Sequence, residues 1–166
     1  VDGDLDVQVG DAVGSGDDTI IINGDQWIVT GEYVWSDTGM ALAVGNDLII
    51  NNAWLWEIWG DYAVALTGDA WASGNDRIFN NDYSDWIAGD YAFSSDGTAG
   101  AGGSDQIYNN GGAFEIWGDR AESDFGKAVA NGSDLIVNND WAEYIYGDNA
   151  FSLTGSGSFV MRIAFL

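Results

Sequence analysis

The chain repeats itself every 29 residues, and that fixed step limits it to a stack of near-identical units. The segments "GDDTIII", "GNDLIIN", "GNDRIFN", "GSDQIYN" and "GSDLIVN" begin at Gly16, Gly45, Gly74, Gly103 and Gly132. A second motif keeps the same step: "IWGDYA", "IAGDYA", "IWGDRA" and "IYGDNA" carry glycines 60, 89, 118 and 147, with Gly31–Glu32 in the first copy. No insertion breaks the register from Gly10 to Gly155. The same residue type at a constant period occupies the same environment in each copy, so the copies stack on one another.

Reading down the columns indicates what stacks. Ile20, Ile49, Ile78, Ile107 and Ile136 form one apolar column, and Val29, Ile58, Ile87, Ile116 and Ile145 form another nine residues on. Alanine and serine dominate the columns through Ala63, Ala65, Ala70 and Ala72, with Val34 in the first of them and Gly157 in the third. The repeat is rich in β-branched and aromatic residues and is cut by Gly and Asn, and no apolar run has helical spacing. The pattern predicts an all-β chain: a parallel β-solenoid, β-roll- or β-helix-like, of about five 29-residue coils. The whole chain, 1–166, forms one domain with coils 16–44, 45–73, 74–102, 103–131 and 132–160 and a partial coil at each end. Short strands are expected near 47–51, 56–59, 62–66 and 70–73. The isoleucines make a thick core and the alanines a thin one. Asn23, Asn52, Asn81, Asn110 and Asn139 are placed to bond from coil to coil as an amide ladder.

Composition narrows the function. Four basic residues stand against 27 acidic ones, a net charge of −23. Such a chain repels nucleic acid and anionic lipid surfaces and attracts cations. It has no Cys and no His, which removes thiolate and imidazole metal sites and the Ser-His and Cys-His catalytic arrangements. Carboxylate pairs abound but recur equally in each coil, whereas an active site breaks symmetry, so no enzyme is expected. No apolar run is long enough to span a bilayer.

The acids are themselves columns. Asp18, Asp47, Asp76, Asp105 and Asp134 follow the first glycine motif, and Asp61, Asp90, Asp119 and Asp148 follow the second, with Glu32 in the first copy. Strands stack about 4.8 Å apart. Carboxylates at that spacing repel by roughly 0.9 kcal/mol per neighbouring pair in water and about 3.5 kcal/mol at an effective dielectric near 20. Ca²⁺ with its oxygen ligands, turn N–H groups, or splayed rotamers can each offset that. An Asp that only caps its own turn is the alternative to a metal ligand.

The motif G-[N/S/D]-D-x-[I/L]-x, with a second apolar position nine residues on, resembles the glycine-rich nonapeptide of RTX (repeats-in-toxin, haemolysin-type calcium-binding) proteins, G-G-x-G-x-D-x-U-x. The resemblance covers residues 3–160. It implies a parallel β-roll, Ca²⁺ between successive coils, and a metal-ligand role for the nine aspartates just named. The chain departs from the family in its longer coil and in its second turn, where the position of the second Asp is held by Trp27, Trp56, Phe114 and Glu143 and keeps an aspartate only at Asp85.

Two apolar stripes are expected to face outward, since neighbours on a strand point to opposite faces. One runs through Ile21, Ile50, Phe79, Tyr108 and Val137, and the extra residues of the coil are expected to fold back over it or leave it to a partner. The other runs through Trp59, Trp117 and Tyr146 and reads as a contact surface. The apolar tail residues Phe159, Val160, Ile163, Phe165 and Leu166 read as an interface for another copy, with a cap strand or a secretion signal as alternatives. The expectation is therefore a secreted, Ca²⁺-stabilised structural protein, extracellular or at the cell surface, that self-assembles into a filament, layer or matrix. A glycan- or surface-binding adhesin module that uses the aromatic stripe is the alternative. An ice-binding solenoid is weaker, because Thr38, Thr67 and Thr154 share their column with Asp96 and Phe125.

Overall fold

The computed structural model describes residues 1–154 together with Gly157 and Ser158. They form a parallel β-solenoid with three sheets and, among the described residues, no helix. Each coil contributes one strand to each sheet. In the second coil these are Leu48–Asn51, Leu55–Ala65 and Ala70–Gly74. The strands pair in parallel with their equivalents 29 residues on, as in Ile49↔Ile78, Ile58↔Ile87 and Ala70↔Ala99, except that Asp2–Gln8 pairs with Gln26–Ser36 at a step of 28, Asp4 opposite Glu32.

The long strand spans two cores. Leu55 and Ile58 join Ile49, Ile78 and Ile107 in an isoleucine core, closed on its far side by the short strands like Leu48–Asn51. Ala63 and Ala65 join Ala41, Ala43, Ala70 and Ala72 in an alanine core. Small side chains fill it because two sheet faces approach closely, and where Val34 takes the place of an alanine in the first coil, Gly14 faces it and leaves the room. The Ser36, Ser94, Ser123 and Ser152 hydroxyls of this region donate to the carbonyls of Gly10, Gly68, Gly97 and Gly126.

Three expectations are corrected. The segments near 56–59 and 62–66 are not two strands but one, Leu55–Ala65. The extra residues of the coil do not fold back over the Ile50 stripe. They build the third, alanine-lined side, and Ile21 remains 55% exposed. Most consequential, Trp59 and Trp117 are not a surface stripe, being 3% and 1% exposed. Ile58 and Ala63 both lie in the interior although five residues apart, so strict alternation slips by one at Gly60–Asp61. That slip brings Tyr62 to the same outer side as Trp59. The Trp59 ring packs 6.0 Å from Tyr62, 5.2 Å from Tyr91 and 6.2 Å from Trp117, the two indoles closing over Ala88. Tyr146, half-buried, extends the stack 6.4 Å beyond Trp117. The tail residues Phe159, Val160, Ile163, Phe165 and Leu166 lie outside the described residues.

Candidate metal centre

The two acidic columns meet inside the solenoid, at the seam between the isoleucine and alanine cores. The turn at Asn46–Asp47 joins strand Ala41–Gly45 to strand Leu48–Asn51, and Gly60–Asp61 lies opposite it in the long strand. Both side chains therefore point at the same internal line. Glu32, Asp47, Asp61, Asp76, Asp90, Asp105, Asp119 and Asp148 are buried, and Asp18 and Asp134 are half-buried. Ligand oxygens within 4.8 Å of one another define four clusters among the described residues. They are Asp18–Glu32–Asp47, Asp47–Asp61–Asp76, Asp76–Asp90–Asp105 and Asp105–Asp119–Asp134. Asp47, Asp76 and Asp105 each belong to two.

The hydrogen bonds use only part of each carboxylate. Asp47 Oδ1 accepts from the Asp18 amide at 2.6 Å, Asp76 Oδ1 from Asp47 at 2.7 Å, Asp105 Oδ1 from Asp76 at 2.7 Å and Asp134 Oδ1 from Asp105 at 3.0 Å. These aspartates thus tie each coil to the one before it rather than cap their own turns. In the second column, Asp61 and Asp90 accept from the Gly45 and Gly74 amides at 3.0 and 3.1 Å. The remaining oxygens have no donor: Oδ2 of Asp18, Asp47, Asp76 and Asp105, Oδ1 of Asp61 and Asp90, and both oxygens of Glu32 and Asp119. A buried acceptor without a donor is costly, and here acceptors face acceptors, which only a proton or a cation can join.

Burial shows in the acidities. Desolvation pushes Asp61 up to about 6, Asp134 to about 7 and Asp105 to about 8. It pushes Asp76 and Asp119 to about 10, with neighbouring carboxylates adding to the rise. Glu32, buried and in contact with Asp61 and Asp47, rises to about 12. Asp90 and Asp47 are raised by the same burial.

Glycines keep the space around these oxygens open. A Cβ on Gly60 would fall under 3.0 Å from Asp76 Oδ2 and from the Gly89 carbonyl oxygen, and Gly31 and Gly89 repeat this with Asp47 and Asp105. Gly45, Gly74, Gly103 and Gly132 lie against the same line from the opposite side. Both glycine columns of the repeat thus serve the acidic line, and any side chain there would fill the room that a bound ion needs.

The structure places the asparagines as well. Asn52 donates to Asn23, Asn81 to Asn52, Asn110 to Asn81 and Asn139 to Asn110, at 2.8–3.0 Å along the exposed turn. A second, largely interior ladder runs Asn51→Asn80→Asn109→Asn138, each bond 2.7 Å. Sequence reading missed it because Ile22 occupies that column in the first coil, although four consecutive asparagines at the 29-residue step were its signal.

Clustered buried carboxylates of this kind can hold a metal ion. No protein-family model matches the chain, nor does any curated protein or any solved structure.

Proposed function

We propose that this chain is a structural solenoid stabilised by a file of Ca²⁺ ions along its internal acidic line, an RTX-like design with a longer coil. The observation that carries the reading is the set of buried, donorless carboxylate oxygens that converge in four successive clusters. The donors are all hard oxygens, which suit Ca²⁺ rather than Zn²⁺. Each coil adds two acids, one per column, and one divalent cation balances both. Ca²⁺ accepts six to eight oxygens in flexible geometry, whereas Mg²⁺ demands a near-ideal octahedron and dehydrates reluctantly. Carboxylates shared between neighbouring ions fit the first requirement better than the second.

A structural role outside the cell follows from the same reading. Calcium-dependent modules of modest affinity are loaded where calcium is abundant. Coils that stack by main-chain bonds at one fixed step also offer a second copy the chemistry they offer one another, which supports assembly into a filament, layer or matrix. Circular dichroism tests the proposal, with calcium added and then chelated at neutral pH. Loss of β signal, or a large fall in melting temperature on chelation, is expected. An unchanged spectrum and melting temperature would sink the reading. Electron microscopy tests assembly, where isolated particles at high concentration in calcium would refute it.

A further inference from the structure

We propose that the tryptophan cluster formed by Trp27, Trp54, Trp56 and Trp86 is a binding site for an organic ammonium ion of the quaternary, choline-like class. Trp27 is 71% exposed and Trp56 37% exposed, while Trp54 and Trp86 are half-buried. Ring centroids of Trp27, Trp54 and Trp56 form a triangle with sides of 5.7–6.3 Å. A cation seated over its middle lies within about 6 Å of all three rings, the range in which an aromatic face attracts it.

Ring orientation separates this cluster from the stacked aromatic columns. Tyr33, Tyr62 and Tyr91 stack face to face, as do Phe79 and Tyr108, so each ring covers its neighbour. In the tryptophan cluster, Trp54 meets Trp27 at 82° and Trp56 at 71°, Trp86 meets Trp56 at 83°, and Trp27 and Trp56 are tilted at 39°. Rings set edge to face do not cover one another as stacked rings do, and Trp27 and Trp56 keep exposed surface.

Charge selects the occupant. Carboxylates share the same columns: Asp25 precedes Trp54 by one coil, Asp85 follows Trp56, and Glu57 pairs in register with Trp86. Anionic ligands are repelled by this surface and by the net charge of −23. The chain's own cations already use this chemistry. Arg120 lies 4.4 Å over the Trp117 ring with Glu115 and Glu122 beside it, and Arg77 lies over Phe79 at 5.5 Å. Among the described residues, no such arginine covers the Trp27–Trp54–Trp56 triangle.

The test titrates calcium-loaded protein with choline and, separately, with 3,3-dimethylbutan-1-ol, its uncharged isostere, by calorimetry and tryptophan fluorescence. Saturable binding of choline with at least about tenfold weaker binding of the isostere is expected, and Trp27→Ala or Trp56→Ala should weaken choline about tenfold. Trp71→Ala, an exposed tryptophan on the alanine-lined sheet, should leave it unchanged, and thermal melts confirm that all three variants fold. Phosphatidylcholine vesicles in a parallel arm distinguish the sources: co-sedimentation identifies a lipid head group, and choline binding without it identifies the free ion. Equal binding of the isostere, or binding of cellohexaose without binding of choline, would overturn the proposal. So would the absence of saturable choline binding.

Discussion

Gly60→Ala should destabilise the protein severely, while Gly24→Ala in the same fold should not. The added methyl at Gly60 would fall under 3.0 Å from Asp76 Oδ2 and from the Gly89 carbonyl oxygen, distances that real Cβ atoms essentially never show. The carboxylate can rotate, but the carbonyl belongs to the next coil's backbone and can yield only by opening the coil spacing. Overpacking of this sort costs roughly 1–3 kcal/mol or more, and the methyl also intrudes on the proposed ion position. For a chain of this size each kcal/mol shifts the melting temperature by roughly 2–4 °C. A fall of about 2–12 °C is therefore expected in calcium. At Gly24 an added Cβ meets nothing within 4 Å, and the backbone there does not have a positive φ. That variant should match the parent or gain up to about 1 kcal/mol through the unfolded state. Thermal melts by circular dichroism, in calcium and in chelator, read both. If Gly60→Ala and Gly24→Ala melt within 2 °C of each other, the claim that the inner glycines hold open a packed acidic line is wrong.

Further expectations concern pH, stoichiometry and the ladders. In metal-free buffer, stability should fall as pH rises from about 4 to 8. Asp61, Asp134 and Asp105 are raised to about 6, 7 and 8 in the folded state, against about 3.9 unfolded, so the folded state holds more protons in that window and loses them on the way up. Denaturant titrations at pH 4, 6 and 8 test this, and a stability maximum at pH 8 without metal would contradict it. Asp76→Asn should remove two bound calcium ions because Asp76 serves two of the clusters among the described residues, whereas Asp61→Asn should remove one. Elemental analysis after gel filtration counts them, and equal losses would refute the sharing. Asn80→Ala should cost about 2–4 kcal/mol by breaking two interior bonds and orphaning their partners, against about 1 kcal/mol or less for the exposed Asn81→Ala. Urea denaturation compares the two, and similar costs would remove the distinction between the ladders.

The repeat made much of this architecture legible. The Ile49 and Ile58 columns, the alanine columns and the Asn52 ladder all follow from one argument, that a constant period means a constant environment. What it hid depends on where the chain departs from strict alternation. Nothing local in "IWGDYA" announces that Trp59 and Tyr62 share a side, because the slip at Gly60–Asp61 answers to the packing of two different cores. The burial of Trp59 and Trp117 follows from that slip, whereas Trp56 faces outward through a separate break, Leu55 and Ile58 both lying in the isoleucine core three residues apart. The two acidic columns were visible separately. Their convergence was not, because Asp47 and Asp61 are brought together only when the coil closes, by strands on opposite sides of the same seam. The repeat shows where the inward glycines stand but not that their lack of a side chain is what keeps the seam open.

The most direct test of the central claim is anomalous diffraction from crystals grown in calcium, or soaked in a lanthanide that substitutes for it. Peaks are expected inside the solenoid, in single file about 4.8 Å apart, each within bonding distance of Asp47, Asp76, Asp105 or their cluster partners. A folded, well-diffracting protein with peaks only on its outer surface, or with no peaks, would contradict it.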